Sequence, residues 1–264
     1  MLAIVFSNKD VYSKAMGDYL LKSYETSPFG VGYKVAGYDI CIFEEKEELY
    51  RVDAKKIEEK ADFIVFLSRH SSEKEVDAAT THALGNFSRE AKFGGIPFKL
   101  SVSFPDGMIR FMKKIGRIEG VDITYEATHH GPYTTKPSLF AEFSAYGVKD
   151  YQKLAERVAS ACMSAVFDLE DNDEEYTYVI GIGGTHYPRK FDNLALTKGY
   201  AFGHIISKYN IKSVIENKDL LFQAIEKNGK EIEKAIIDWK SIRSEERNLI
   251  ASMLNYFGMD YERV

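Results

Sequence analysis

The chain has 264 residues, is 45% hydrophobic and 28% charged, and carries a formal net charge of -5. That balance fits a soluble globular protein with a sizeable core, one large α/β unit or two small ones. It argues against the broad, non-specific coating of nucleic acid that a basic chain gives, while leaving room for a local basic patch. Cys41 and Cys162 are the two cysteines; far apart and without a CxxC pattern, they indicate neither a disulfide framework nor a thiolate zinc site, and a reducing cytosol is the simple reading. The opening MLAIVFSNKD is apolar only to Phe6 with no basic region before it, too short for a signal peptide. No apolar run approaches the roughly 20 residues that cross a bilayer, so a cytoplasmic protein is expected.

Taken in order, Leu2–Phe6 reads as a short buried strand, and Val11–Leu21 has helical spacing with Asp10 as N-cap. Tyr38–Phe43 is a second strand. Asp53 caps a helix through Lys60. Asp62–Ser68 (DFIVFLS) is a continuous apolar strand ending at Arg69-His70. Phe98–Phe104 is a further candidate strand. Pro105 opens a helix with Ile109, Met112 and Ile115 on one face. Val121–Thr128 is a strand ending at a double histidine. Asp150–Phe167 is the clearest helix, with a stripe of Leu154, Val158, Ala161, Cys162 and Ala165. DLEDNDEEY (168–176) reads as a solvated loop. Tyr176–Ile182 is a strand running into Gly183-Gly184-Thr185-His186. Ser244 caps a last helix with Leu249, Ile250, Met253, Leu254 and Phe257 inward, stopped by Gly258. Unbroken apolar strands separated by helices predict an α/β fold: a mostly parallel or mixed central sheet with helices on both faces. A single domain 1–264 is expected, with room for a small subdomain around 81–97.

The chain has six histidines. His70 follows one predicted strand, His129 and His130 end another, and His186 follows a third. Ligands of open α/β sheets bind outside the carboxyl ends of strands, so these imidazoles are expected at one rim. His82, in THALGN, lies between two helical patterns and reads equally as loop or site. His204, in GYAFGHII, reads as a core histidine bonded to backbone. Strand side chains alternate faces, so within a regular strand His129 and His130 cannot serve one ion; one faces the site and the other braces it, with Gly131-Pro132 ending the ladder.

GIGGTHY (181–187) lacks GxGxxG spacing and a following helix N-terminus, which argues against a dinucleotide site; a tight turn letting substrate approach the backbone fits better. Neither a GxSxG elbow nor a GxxxxGK[ST] loop is present. In SRHSS (68–72), Arg69 suits a phosphate or carboxylate, and Ser71 or Ser72 can cap a helix beginning at Glu73. Glu142, amid apolar residues, either orients a histidine or acts as a base if buried, or faces solvent from a strand. Lys113, Lys114 and Arg117, Lys136, and Arg189, Lys190 and Lys198 form local basic clusters. The last two groups follow the histidine motifs and would border a site there. Tyr133 and Tyr187 suit base stacking or the core.

SRHSS, then Thr81-His82…Gly85-Asn86, then THHGP (128–132), GGTHY (183–187) and GYAFGH (199–204) come in the order seen in the archaeal and plant-type D-aminoacyl-tRNA deacylases, and the resemblance spans nearly the whole chain. Ala83-Leu84 stand where that family has small polar residues, and Tyr187-Pro188-Arg189-Lys190 where it has Tyr-Ala-Pro. The resemblance implies a cytoplasmic hydrolase on a phosphorylase or peptidyl-tRNA hydrolase-like fold. It would cleave the ester between a D-amino acid and the tRNA 3′ CCA end, with zinc as cofactor. It implies His129, His130, His186, His70 and Glu142 as catalytic candidates, and His82, His129, His130 and His186 as metal ligands. Ser68, Arg69, Thr81, Asn86, Thr128, Gly131, Gly183, Gly184 and Tyr187 are the substrate-binding candidates. No membrane or obligate protein partner is expected, and the chain is expected to be a monomer. The alternatives are a zinc amidohydrolase, carboxypeptidase-like or phosphorylase enzyme on a related fold, and a non-catalytic binder of the tRNA end.

Overall fold

The computed structural model describes residues 1–72, 75–167 and 174–264. Glu73 and residues 168–173, where a helix start and most of the acidic loop were expected, lie outside the described residues. The first part of the chain runs β1 Leu2–Ser7, α1 Val11–Ser23, β2 Thr26–Phe29, β3 Gly32–Val35, β4 Ile40–Glu45, a 3-10 turn at Leu49–Arg51, α2 Lys55–Glu58, β5 Phe63–Arg69, β6 Ala78–His82, α3 Pro105–Ile115, β7 Asp122–Tyr125, β8 Ser138–Ser144 and α4 Tyr151–Phe167. The rest runs β9 Thr177–Ile182, α5 Arg189–Lys198, β10 Tyr200–Ile206, α6 Ile211–Glu216, α7 Asp219–Glu226, β11 Lys234–Ile237, a 3-10 turn at Trp239–Ser241, α8 Ser244–Tyr256 and β12 Tyr261–Arg263.

The α/β class expected from the sequence holds, but the strands form two sheets. The larger has the order β2-β3-β4-β1-β5-β8-β6-β7, the smaller β10-β9-β11-β12. β4, β1, β5 and β8 run parallel, whereas β6 is antiparallel to β8 and carries β7 parallel beside it. All pairings in the smaller sheet are parallel.

β1 shows why its run is unbroken. Leu2, Ile4 and Phe6 pack on one face with Met16 and Leu20 of α1, Met108 and Met112 of α3, and Leu154 and Val158 of α4. Ala3 and Val5 pack on the other with Leu49, Val52 and Ile57. With both faces covered, a strand needs apolar residues at every position. Asp10 fixes the start of α1, accepting from the amides of Tyr12 at 3.0 Å and Ser13 at 2.8 Å. Helix α3 binds the sheets together: its core includes Leu139 and Phe143 of β8 as well as Phe202 and Ile205 of β10.

Three expectations need correction. Phe98–Phe104 forms no strand, only isolated pairings of Leu100 with Gly85 and Ser103 with Ser138; Phe98 has φ +55°, and the segment bonds instead to Gln223 and Lys227. In α8, Leu249 is exposed while Ile250, Met253 and Leu254 are buried, and Arg243 precedes the helix without a side-chain cap. A helix does follow GGTHY, since α5 begins at Arg189.

Asp192, in the first turn of α5, ties the smaller sheet's helix to the larger sheet by accepting from Thr124 Oγ1 at 2.7 Å and the Tyr125 amide at 2.8 Å. Burial pushes its carboxyl up to about 6 against the hydrogen bonds from Thr124 and Tyr125. The folded state therefore holds this proton more tightly than the unfolded chain. Its stabilising effect is full below the ordinary value of 3.8 and is lost as pH rises to about 6. Over that window wild type should lose on the order of 2–3 kcal/mol relative to Asp192→Asn, read from urea unfolding of both proteins at each pH.

Candidate active site

The site sits at the seam between the sheets. β7 pairs with β6 only through Tyr125, after which the chain crosses over. The Glu126 amide still bonds Thr81 O at 2.9 Å, but the Ala127 amide bonds His186 O at 2.8 Å and the Thr128 amide bonds Ile205 O at 2.9 Å. Residues 126–128 thus leave the larger sheet's ladder and bond to His186 and to Ile205 of the smaller sheet, forming no strand in either. The expected common rim of strand ends is replaced by this seam, because β6 and β7 run opposite to β5 and β9 belongs to the other sheet. His82 closes β6 and does not sit between helices.

The alternation argument for His129 and His130 fails for the same reason: they lie beyond the ladder. His130 has φ +37°, and both rings turn to one place. The His82 and His129 ring centroids are 4.0 Å apart, His82 and His130 4.9 Å, His129 and His130 4.3 Å, and His129 and His186 4.7 Å. His204, as expected, lies in the core, its Nε2 bonded to Ser101 O at 3.0 Å and its Nδ1 to Thr128 Oγ1 at 3.1 Å.

Backbone carbonyls fix the tautomers. A carbonyl oxygen only accepts, so Nδ1–H of His82 donates to Ala83 O (3.1 Å), that of His129 to Ala127 O (3.0 Å) and that of His130 to Gly131 O (2.8 Å). Each neutral ring then presents a bare Nε2 lone pair. Burial keeps the rings neutral: it pushes His82 down to about 3 and holds His129 and His130 below the usual imidazole range, with neighbouring imidazoles adding to the effect on His82 and His129. One donor atom from each of these three residues lies within 4.8 Å of the others, and Glu126, His129 and His186 form a second such group. The buried His82 Nε2 and Glu126 Oε1 have no hydrogen-bond partner among the described residues. Unpaired buried acceptors aimed at one point are what a cation would satisfy, so the residues fit a zinc ion.

Glu126 is the central residue that sequence reasoning missed. It is 3% exposed. Its Oε2 lies 2.7 Å from His186 Nε2 and 3.8 Å from His129 Nε2, and its Oε1 lies 3.9 Å from His70 Nε2. Burial alone would raise its carboxyl, but the His186 hydrogen bond and the His129, His82 and His70 imidazoles hold it well below the carboxylate range. Glu142 is also buried, 3.9 Å from His82, and not on the surface. Burial, with Glu126 nearby, pushes Glu142 well above that range despite a hydrogen bond from Ser68. The two carboxyls therefore differ: Glu126 is ionised, Glu142 a neutral acid.

His70 is held by a relay with one consistent set of protons. Ser144 Oγ donates to Val76 O at 2.8 Å, so it accepts from His70 Nδ1 at 2.9 Å, and His70 Nε2 accepts from the Tyr187 hydroxyl at 2.9 Å. Several substrate-binding candidates instead build the scaffold. Thr81 donates to Phe140 O, and Asn86 to Gly94 O. Thr128 bonds His204 and the Ile205 amide. Gly183 and Gly184 form a positive-φ turn on Ser241. Arg69 pairs with Asp10 at 3.3 Å. A Cβ on Gly131 would stand 2.0 Å from Gly95 N and 2.4 Å from Gly94 C. Gly131→Ala must push two backbones apart beside His130; it should cost roughly 1–3 kcal/mol in chemical unfolding and lower activity, while a wild-type unfolding midpoint would show that the contact gives way freely.

A cavity of about 790 Å³ opens beside the cluster, lined by His70, Ser72, Asp122, Thr124, Thr185, His186, Tyr187, Arg189 and Tyr209. The His186 side chain is 37% exposed and that of His129 31%. Of the cations expected at the site, Arg189 lines this cavity. Lys136, Lys190 and Lys198 instead pair with Asp62, Asp238 and Glu262. Tyr133 lies elsewhere, under Lys227.

Residues 57–262 match a family model described as D-aminoacyl-tRNA deacylase. A D-aminoacyl-tRNA deacylase of Ignicoccus hospitalis is 39% identical over 202 residues, 75% of this chain and 80% of that protein. One of Staphylothermus marinus is 31% identical over 268 residues, 94% of this chain and 93% of its own. The crystal structure of a conserved protein of unknown function superposes with a TM-score of 0.85 at 29% identity, covering 100% of this chain and 95% of that one. The matched region takes in His82, His129, His130 and His186 together with Glu126, so the likeness extends across the seam where they meet: the chain belongs to the D-aminoacyl-tRNA deacylase family.

Proposed function

We propose that this protein hydrolyses the ester joining a D-amino acid to the 3′ end of tRNA, with the seam cluster as its centre. The observation that carries the reading is the meeting of three bare imidazole nitrogens with an ionised, buried carboxylate that orients a fourth imidazole beside an open cavity. His82, His129 and His130 would hold zinc through Nε2, with Glu126 Oε1 adjacent. When bound, zinc supplies Lewis-acid polarisation of the ester carbonyl and acidifies a water.

The chain's own residues supply the proton traffic. An ionised carboxylate only accepts, so the 2.7 Å contact places a proton on His186 Nε2 and leaves Nδ1 as a base. His186 takes the proton of the attacking water as its oxygen bonds the carbonyl carbon. The carbon–oxygen bond to the ribose then breaks, and His186 returns the proton to the departing ribose oxygen. Glu126 holds the tautomer and stabilises the transient imidazolium. Tyr187 donates its hydroxyl proton to His70 and is also hydrogen-bonded by Ser72, which fixes the ring at the cavity wall. No helix among the described residues is long and apolar enough to cross a membrane, in keeping with a tRNA substrate free in solution.

The reading is tested by release of tyrosine from D-tyrosyl-tRNA, with L-tyrosyl-tRNA as the control. Faster hydrolysis of the D ester is expected. Cleavage of N-acyl amino acids without action on either tRNA would favour an amidohydrolase.

A further inference from the structure

Resting on the deacylase reading, we propose that Tyr209 and Lys208 form the platform that seats the tRNA's single-stranded end, Tyr209 stacking on a terminal base and Lys208 meeting a neighbouring phosphate. Tyr209 is 66% exposed yet lines the same cavity as His186 and Tyr187. An aromatic ring left facing solvent beside a reacting ester has the surface that an unstacked base covers, and stacking requires no particular base identity.

The loop that carries the ring is tied to the machinery. The Lys208 amide donates to Gly184 O at 2.9 Å, and the Asn210 amide closes a turn onto Ser207 O at 2.9 Å. Gly184 in turn donates to Ser241 Oγ at 2.7 Å and stands two residues before His186. A base on Tyr209 is thereby placed in fixed relation to the His186 ring. The charge pattern agrees. Arg189, also at the rim, is occupied by Asp122 at 2.7 Å and Asp192 at 3.7 Å. The exposed Lys208 ammonium lies 5.4 Å from the Tyr209 ring centroid, and no carboxylate among the described residues pairs with it. A chain with net charge -5 thus keeps a cation beside its exposed ring, and a short single-stranded end needs few such contacts.

The test is single-turnover hydrolysis of D-tyrosyl-tRNA across a range of enzyme concentrations, which separates half-saturation from the rate at saturation. Tyr209→Ala should raise the half-saturating concentration about ten- to a hundredfold and leave the saturated rate unchanged, while Tyr209→Trp keeps wild-type half-saturation. Lys208→Gln should flatten the dependence of half-saturation on salt by about one phosphate contact. Wild-type half-saturation in Tyr209→Ala, or an equal loss in Tyr209→Ala and Tyr209→Trp, overturns the platform while the deacylase reading stands. A wild-type enzyme inactive on D-tyrosyl-tRNA overturns both.

Discussion

Replacing His129 by alanine is expected to lower kcat/KM for D-tyrosyl-tRNA by at least about a hundredfold and to weaken zinc binding with it. His129 contributes to two of the three donor groups among the described residues, the one with His82 and His130 and the one with Glu126 and His186, and is absent from the third, His82 with Glu126 and Glu142. Its ring stands between those of His82 and His186. Removing it opens both arrangements at once, whereas loss of His130 or His186 leaves one intact. The fold should survive. The side chain is 31% exposed, and the segment is held through backbone, by the pairing with Leu84 and the bond from the Gly85 amide to His130 O. Elemental analysis of the purified variant, its circular dichroism and its initial rate together check the expectation. A folded His129→Ala protein with wild-type rate would place the reacting centre elsewhere.

Glu126→Gln is expected to reduce kcat by roughly 10²–10⁴ with little change in KM. Shape is nearly kept, so the effect isolates charge and proton acceptance. With an amide in place of the carboxylate, the His186 tautomer is no longer fixed, and the imidazolium formed during the reaction loses its counter-charge. Glu126 does not line the cavity, so substrate affinity should be spared. The folded protein holds this carboxyl well below its ordinary range and so favours its ionised form; removing that charge should leave the variant unfolding at or below the wild-type midpoint at neutral pH. A change in KM alone would assign Glu126 to substrate binding rather than to His186.

The sequence reveals most where burial is one-sided or complete and local. β1, β5 and β9 read as apolar runs because both their faces are covered, and α4 reads from a stripe that packs against α1 and α3. β6 escapes notice because AATTH is polar at its end; Thr81 is satisfied by Phe140 O, a distant partner that no local pattern announces, and His82 bonds Ala83 O through Nδ1 alone. The hairpin of β2 and β3 carries Pro28 and Gly32 and lies at the sheet edge, where exposure removes the apolar signal.

The convergence of histidines is legible, but for a different physical reason than strand ends. β6 and β7 reverse direction within the sheet, and residues 126–128 bridge from Thr81 of one sheet to Ile205 of the other. Neither event leaves a trace in hydropathy. Glu126 sits in a segment that reads as plain strand, and its compensating partner His186 is 60 positions away. A carboxylate amid Tyr125, Ala127 and Thr128, just ahead of two histidines, is the one local sign of it.

The central proposal is that ester hydrolysis runs through a zinc ion held by the bare nitrogens of His82, His129 and His130. The measurement that addresses it directly is the rate of D-tyrosine release by protein stripped with a chelator and then titrated with zinc, the metal content being assayed at each point. Negligible hydrolysis in the stripped protein and recovery in proportion to bound zinc are expected. Full activity in protein shown to be free of metal would contradict the proposal.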